Sequence, residues 1–216
     1  YVALIPNLNH LLIEIVAPSD LLCYGFERWK RNNHAILTYG IQHPIVVRLQ
    51  DRLTIPNPAD QEIANTFWKE KWAVFGQKLS DNGCDTLPWL QKDALENCLL
   101  TMIDLQDQKE VACVGLAVAL SDDKREVFAM LRDAGIPIAL WLRGERPEQT
   151  ILTDLQDKIA PLLNGKKLAD LRKAVHAARR SKDALQDAAF IGNSLTLLWD
   201  DPTRLPPKYA EQGVLI

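Results

Sequence analysis

The sequence predicts an α/β fold, a mostly parallel sheet of about five strands with helices on both faces. Three observations carry that prediction. Apolar or β-branched runs alternate with segments of helical period from one end of the chain to the other. Two of those runs, Glu110 to Leu120 and Ile136 to Leu142, show almost no polar alternation, as strands do when both faces are covered. Between them lies a helical pattern, opened by the capping residues Ser121-Asp122-Asp123, carried by Val127, Phe128 and Leu131, and closed by Gly135. Strand, helix and strand in that order make a βαβ unit with parallel strands.

In chain order, His10 to Val16 is the first strand candidate, with Glu14 as its polar position. Pro18-Ser19-Asp20 opens a helix in which Leu22, Phe26 and Trp29 share a face, slightly weakened by Gly25. Pro44 to Leu49 is the second strand, β-branched at its centre. Asn57-Pro58-Ala59-Asp60 caps a long helix whose stripe of Ala64, Trp68, Trp72, Phe75 and Leu79 is read as packing over one face of the sheet. Cys84 to Gln108 is the least legible part, with a short helix through Leu95, Leu99, Leu100 and Ile103. After the βαβ unit, Arg143-Gly-Glu-Arg146 is a loop, and Pro147 opens a helix carrying Ile151, Leu152, Leu155, Ile159 and Leu162. A basic helix follows from Leu168 to Arg180, and Ser194 to Trp199 is the last strand, stopped by Asp200-Asp201-Pro202.

At 216 residues, 47% hydrophobic and 25% charged, the chain fits one α/β domain spanning residues 1–216. It opens on Tyr1 rather than Met, and the expectation is the C-terminal part of a longer protein. The longest apolar run, Val111 to Leu120, is about half of the ~20 residues that cross a bilayer, and no signal-peptide pattern precedes it. A membrane span is excluded on that ground. Cys23, Cys84, Cys98 and Cys113 are far apart, with no Cys-x-x-Cys pair, which argues against zinc and for reduced thiols in a cytoplasmic protein.

The net charge of −3 is unevenly spread. Between Gly165 and Lys182, Lys166, Lys167, Arg172, Lys173, Arg179, Arg180 and Lys182 are opposed by Asp170 alone, so an acidic body carries one basic helix. Arg172, Lys173, His176, Arg179 and Arg180 are assigned to its outer face, opposite Leu171, Val175 and Ala178.

The carboxyl ends of parallel strands gather at one edge of a sheet, where ligands bind in open α/β folds. The residues that would meet there are Ser19, Asp20, Arg48, Asp51, Arg52, Asp122, Asp123, Arg143, Arg146, Asp200, Asp201 and Arg204. Arginines among carboxylates can bind phosphate, flank a metal, or tie the loops to one another. The sharper constellations are absent: no phosphate-binding glycine loop, no Gly-x-Ser-x-Gly elbow and no His-x-x-x-His pair, His10, His34, His43 and His176 being scattered.

Several stretches together resemble one family: Leu11-Leu-Ile-Glu-Ile15 with Pro18 and Trp29, Pro44-Ile-Val-Val-Arg48 with Arg52, Gly135-Ile-Pro-Ile-Ala-Leu-Trp-Leu-Arg143, and Leu198-Trp-Asp-Asp-Pro202 with Arg204-Leu-Pro-Pro207. The chain resembles the VMAP-C domain, the C-terminal domain of vWA-MoxR-associated proteins of bacterial conflict systems. Leu142 stands where that family is expected to carry proline. The resemblance implies a module downstream of an effector or protease-like domain, working with a MoxR-type AAA+ ATPase and a vWA protein, with catalytic residues in neighbouring domains.

Three readings stand at this point. In the first, the chain is a non-catalytic signalling or adaptor domain of an antiphage defence system, and Arg48, Arg52, Asp122, Asp123, Arg143, Asp200, Asp201 and Arg204 form a polar lock or ligand-responsive edge. In the second, it is a metal-dependent phosphoesterase or nucleotide-binding enzyme, with Asp122, Asp123, Asp200 and Asp201 holding Mg²⁺ and Arg143 binding phosphate. In the third, Arg172, Lys173, Arg179 and Arg180 bind nucleic acid, a reading that the lack of interleaved aromatics disfavours.

Overall fold

A computed structural model describes residues 11–30, 32, 37–78, 83–120, 125–143, 155–186 and 190–204. Strands β1 (Ile13–Ala17), β2 (Ile45–Leu49), β3 (Trp89–Leu90), β4 (Cys113–Leu116), β5 (Ile138–Leu142) and β6 (Leu195–Trp199) form one mostly parallel sheet in the order β1-β2-β6-β5-β4-β3. The strand beyond the expected five is β3, whose two residues are too few to show a period. The run Glu110 to Leu120 contributes only Cys113–Leu116 as strand.

The last strand enters the middle of the sheet. β6 lies parallel to β2 at Val47↔Leu198 and antiparallel to β5 from Ile138↔Trp199 to Leu142↔Leu195. Two parallel halves therefore meet at an antiparallel seam. The carboxyl ends of β1, β2 and β6 lie at one edge of the sheet, the first edge, while β4 and β5 end at the opposite, second edge. This corrects the expectation that all the strands end together. The connection from β5 to β6 runs through α6 (Leu155–Leu163), α7 (Leu171–Arg179) and the short α8 (Lys182–Gln186), and it delivers the chain to the edge at which β5 ends.

Alternation along the strands builds two cores. Val46, Ile138, Leu140, Leu142, Leu197 and Trp199 face Ile159 and Leu163 of α6 and Leu171 and Val175 of α7. Val47, Leu49, Val114, Leu116, Ala139, Trp141 and Leu198 face Val127, Phe128 and Leu131 of α5 (Arg125–Asp133), with Leu105 of α4 (Cys98–Asp107). The βαβ unit β4-α5-β5 is present, and β4 and β5 are adjacent and parallel.

Three helical expectations are revised. The segment after Ser19 forms two 3-10 turns, Ser19–Leu21 and Phe26–Arg28, because the Ser19 amide and hydroxyl both turn to the Asp51 carboxylate at 3.0 and 2.5 Å rather than capping a helix. α2 (Pro58–Lys78) crosses the first edge instead of lying over one face: Trp68 meets Asp200, Lys71 meets Val111, and a Cβ on Gly135 would lie 2.5 Å from that of Phe67. The segment Leu168 to Arg180 divides into a 3-10 turn, Leu168–Asp170, and α7. Pro147, Ile151, Leu152, Leu79 and His10 lie outside the described residues.

Candidate functional site

At the first edge, Asp200 leaves β6 and is 2% exposed, and its carboxylate lies between two arginines presented by β2 and the turn after it. Arg52 Nε donates to it at 2.8 Å and Arg48 Nε at 3.3 Å. The remaining Arg52 nitrogens close a different structural need. Nη1 donates to the Arg132 carbonyl at 3.3 Å, and Nη2 to the carbonyls of Leu131 and Ile136 at 3.3 and 2.9 Å. These acceptors lie at and just beyond the end of α5, where the Leu131 and Arg132 carbonyls also take the amides of Ile136 and Gly135, so Arg52 adds a second donor to each. Trp68 completes the layer, its ring 4.9 Å from the Arg52 guanidinium carbon and its indole N–H donating to the Asp200 carbonyl at 2.7 Å.

Arg48 ties down the chain after β6. Its Nη2 donates to the Asp201 carbonyl at 2.6 Å and its Nη1 to the carbonyl of Arg204. Glu14 of β1 reaches Arg48 at 3.5 Å and the Arg204 guanidinium at 2.7 Å, so the first strand is linked to the same group. The Asp201 carboxylate instead accepts the Thr203 amide and hydroxyl at 2.8 and 2.7 Å, which is turn chemistry. Burial pushes the Asp200 carboxyl up while Arg52 and Arg48 draw it down, and burial pushes Arg52 down from its ordinary value. All the nitrogens of both guanidiniums have internal acceptors.

The second edge holds a separate arginine cluster. Arg143, 7% exposed, pairs with the buried Glu27 and donates to the Tyr24 carbonyl. Arg179, 2% exposed, donates to the carbonyls of Leu195 at 2.7 Å and Ile45 at 3.5 Å, bridging the amino ends of β6 and β2. Burial, reinforced by the neighbouring Arg179, pushes Arg143 down to about 9, and burial alone pushes Arg179 down to about 10. Both guanidiniums stay charged at neutral pH.

Two stretches noted in the sequence thus supply one cluster of ion pairs and hydrogen bonds: Pro44 to Arg48 with Arg52, and Leu198 to Pro202 with Arg204. A family model described as the vWA-MoxR associated protein C-terminal domain, VMAP-C, matches residues 3–202. The chain belongs to the VMAP-C family. No curated protein and no solved structure matches it.

The VMAP-C match spans both edges and reaches Asp200 and Asp201. Of the eight edge residues expected from sequence, Arg48, Arg52, Asp200, Asp201 and Arg204 come together in this VMAP-C domain. Arg143 does not join them, because the antiparallel seam sends the end of β5 to the other edge. Asp122 and Asp123 lie outside the described residues. Among the described residues no group of three His, Cys, Asp or Glu is arranged to hold a metal, and no helix is long and apolar enough to cross a membrane.

The expected basic face divides. Lys173 is exposed and bonded to Asp170 at 2.9 Å, and Arg180 is exposed. Arg172 lies over the Trp199 ring at 4.5 Å, within the electrostatic reach of Arg204, Glu14 and Asp201. Arg179 is internal, four residues after the buried Val175 and so on the same face of α7. Two participants were missed in sequence. Lys71, 1% exposed, donates to the carbonyls of Leu105, Gln108 and Val111 at 2.8, 2.7 and 3.0 Å, closing the end of α4. Its spacing from Trp68 and Phe75 already put it on the inner stripe. Glu27 had no comparable signal.

Proposed function

We propose that this VMAP-C domain is a non-catalytic signalling or adaptor module of a bacterial defence system, coupling a MoxR-type AAA+ ATPase and a vWA protein to an effector such as a linked protease-like domain. One observation supports the non-catalytic part above the others. The charged groups at the end of β2 and β6 are engaged with one another, Asp200 with Arg48 and Arg52, so the edge that serves ligands in open α/β folds is closed by side chains. The family description supports the partner classes.

The test is complex formation with purified MoxR-type ATPase and vWA protein of the native host, read by size exclusion with light scattering, with ATP present and absent. A stoichiometric complex of the folded chain with either protein is the expected result. Failure of the folded chain to bind either, in both nucleotide states, overturns the adaptor reading.

A further inference from the structure

Helix α4 carries apolar residues on two sides. Its inner side buries Thr101 and Leu105, with Cys98 and Met102 packed against the α5-side core. Its outer side presents Leu99, Leu100 and Ile103, exposed by 67%, 63% and 45%. A helix on a globular surface ordinarily has one apolar stripe, and three adjacent large apolar side chains in water mark an interaction surface. The spacing is that of a helix-packing stripe: Leu99, Leu100, Ile103, Asp104 and Asp107 of α4 recur at three- and four-residue intervals.

The rim of this patch is acidic. Asp93 and Glu96 of α3 (Lys92–Glu96) stand at one end, and Asp104 and Asp107 at the other, all four exposed. Lys92 is the only cation between positions 92 and 107, and it sits 3.5 Å from Glu96. That sign of charge discriminates among occupants. Anionic lipid and nucleic acid would be repelled. A second copy docked face to face would set the same carboxylates against each other. A partner that offers leucine-like side chains flanked by lysine or arginine satisfies both features.

We propose that the outer face of α4 is a docking surface for an amphipathic helix of a protein partner, apolar along one stripe and basic along its borders. The surface is remote in chemistry from the edge lock, and the proposal does not depend on which partner the adaptor reading names.

The probe is a labelled synthetic helix of leucine and lysine, about five turns long, against a leucine–glutamate helix of the same length, with binding followed by fluorescence anisotropy. The expected result is binding of the lysine helix alone, weakened at least about tenfold by Leu99→Ser/Leu100→Ser/Ile103→Ser and independently by Asp104→Lys/Asp107→Lys. These positions are exposed, so both variants retain the wild-type melting temperature, which is measured in parallel. Equal binding of the two helices, or indifference to either variant, overturns the proposal. So does concentration-dependent self-association in sedimentation that the triple serine variant abolishes, because the face would then belong to a second copy. Failure of the ATPase and vWA complexes leaves this readout untouched, so the two ideas fail separately.

Discussion

Arg52 and Asp200 are separated by 148 residues in sequence and joined at 2.8 Å, both buried, with the Arg52 guanidinium also serving the end of α5. One cation thus couples β2, β6 and the βαβ unit through hydrogen bonds that lie away from solvent.

Asp200→Asn keeps the shape of that side chain and removes its charge, leaving the buried Arg52 guanidinium without a carboxylate and Arg48 with Glu14 alone at 3.5 Å. Removal of one partner from a buried ion pair costs about 3–5 kcal/mol, a fall in melting temperature of roughly 10 °C for a domain of this size. Asp201→Ala loses the turn contacts to Thr203 and a longer-range attraction to Arg172, and costs about 1 kcal/mol or less. Chemical denaturation of the two variants checks the contrast, and equal losses would remove the distinction drawn between adjacent carboxylates.

Gly135 and Gly165 both adopt positive φ, at 69° and 68°, in different surroundings. A Cβ at Gly135 would lie 2.5 Å from the Cβ of Phe67, whereas at Gly165 nothing lies within 4 Å. Gly165→Ala therefore costs about 1–2 kcal/mol from backbone strain alone. Gly135→Ala adds the displacement of α2 and costs about 2–5 kcal/mol. Thermal melts of both single variants read the difference.

Lys71→Met takes the ammonium away from three carbonyls in and beyond the last turn of α4, of which that of Gln108 keeps the Val111 amide, for a loss of about 1–3 kcal/mol. Lys71 also gives stability a pH dependence. Burial pushes its ammonium down to about 8 from 10.5. Above 10.5 both folded and unfolded chains hold a neutral amine; between 10.5 and about 8 the unfolded chain binds more protons, so stability falls as pH falls through that window. Urea titrations across this range should show the slope in the wild type and a flatter profile in Lys71→Met.

His176 acts in the same direction at lower pH. Desolvation pushes its imidazole below 6.5, outweighing the contact of Nε2 with the Ile41 carbonyl at 3.1 Å. Protonation therefore favours the unfolded chain, and stability falls as pH drops below 6.5. His176→Gln is expected to reduce that acid-side loss, measured as the difference in denaturation midpoint between neutral and mildly acidic buffer.

The strands legible in sequence are the longer apolar or β-branched runs: β1, β2, β4, β5 and β6, and the helix α5 between β4 and β5, follow from such runs and from caps. Strand direction was not legible. Nothing in Leu195 to Trp199 says whether it runs with or against Ile138 to Leu142, since alternation is identical in both senses. The partition of the charged residues between two edges was hidden with it, which is why Arg143 was grouped with Asp200. Arg179 departs from expectation for a different reason: a long cationic side chain near a helix end is exposed by default, and here the carbonyls of Leu195 and Ile45 receive it inside the protein.

The central place of β6 also bears on how the chain is made. During synthesis β1 and β2 emerge before β3, β4 and β5, and the strand that lies between the two groups emerges after all of them. Until then each group has an open edge of unpaired amides facing the other, a template for wrong pairing. A chain truncated before Leu195 should consequently behave as two unsatisfied half-sheets and be drawn to chaperones or aggregates, and the native sheet should form only once β6 has emerged.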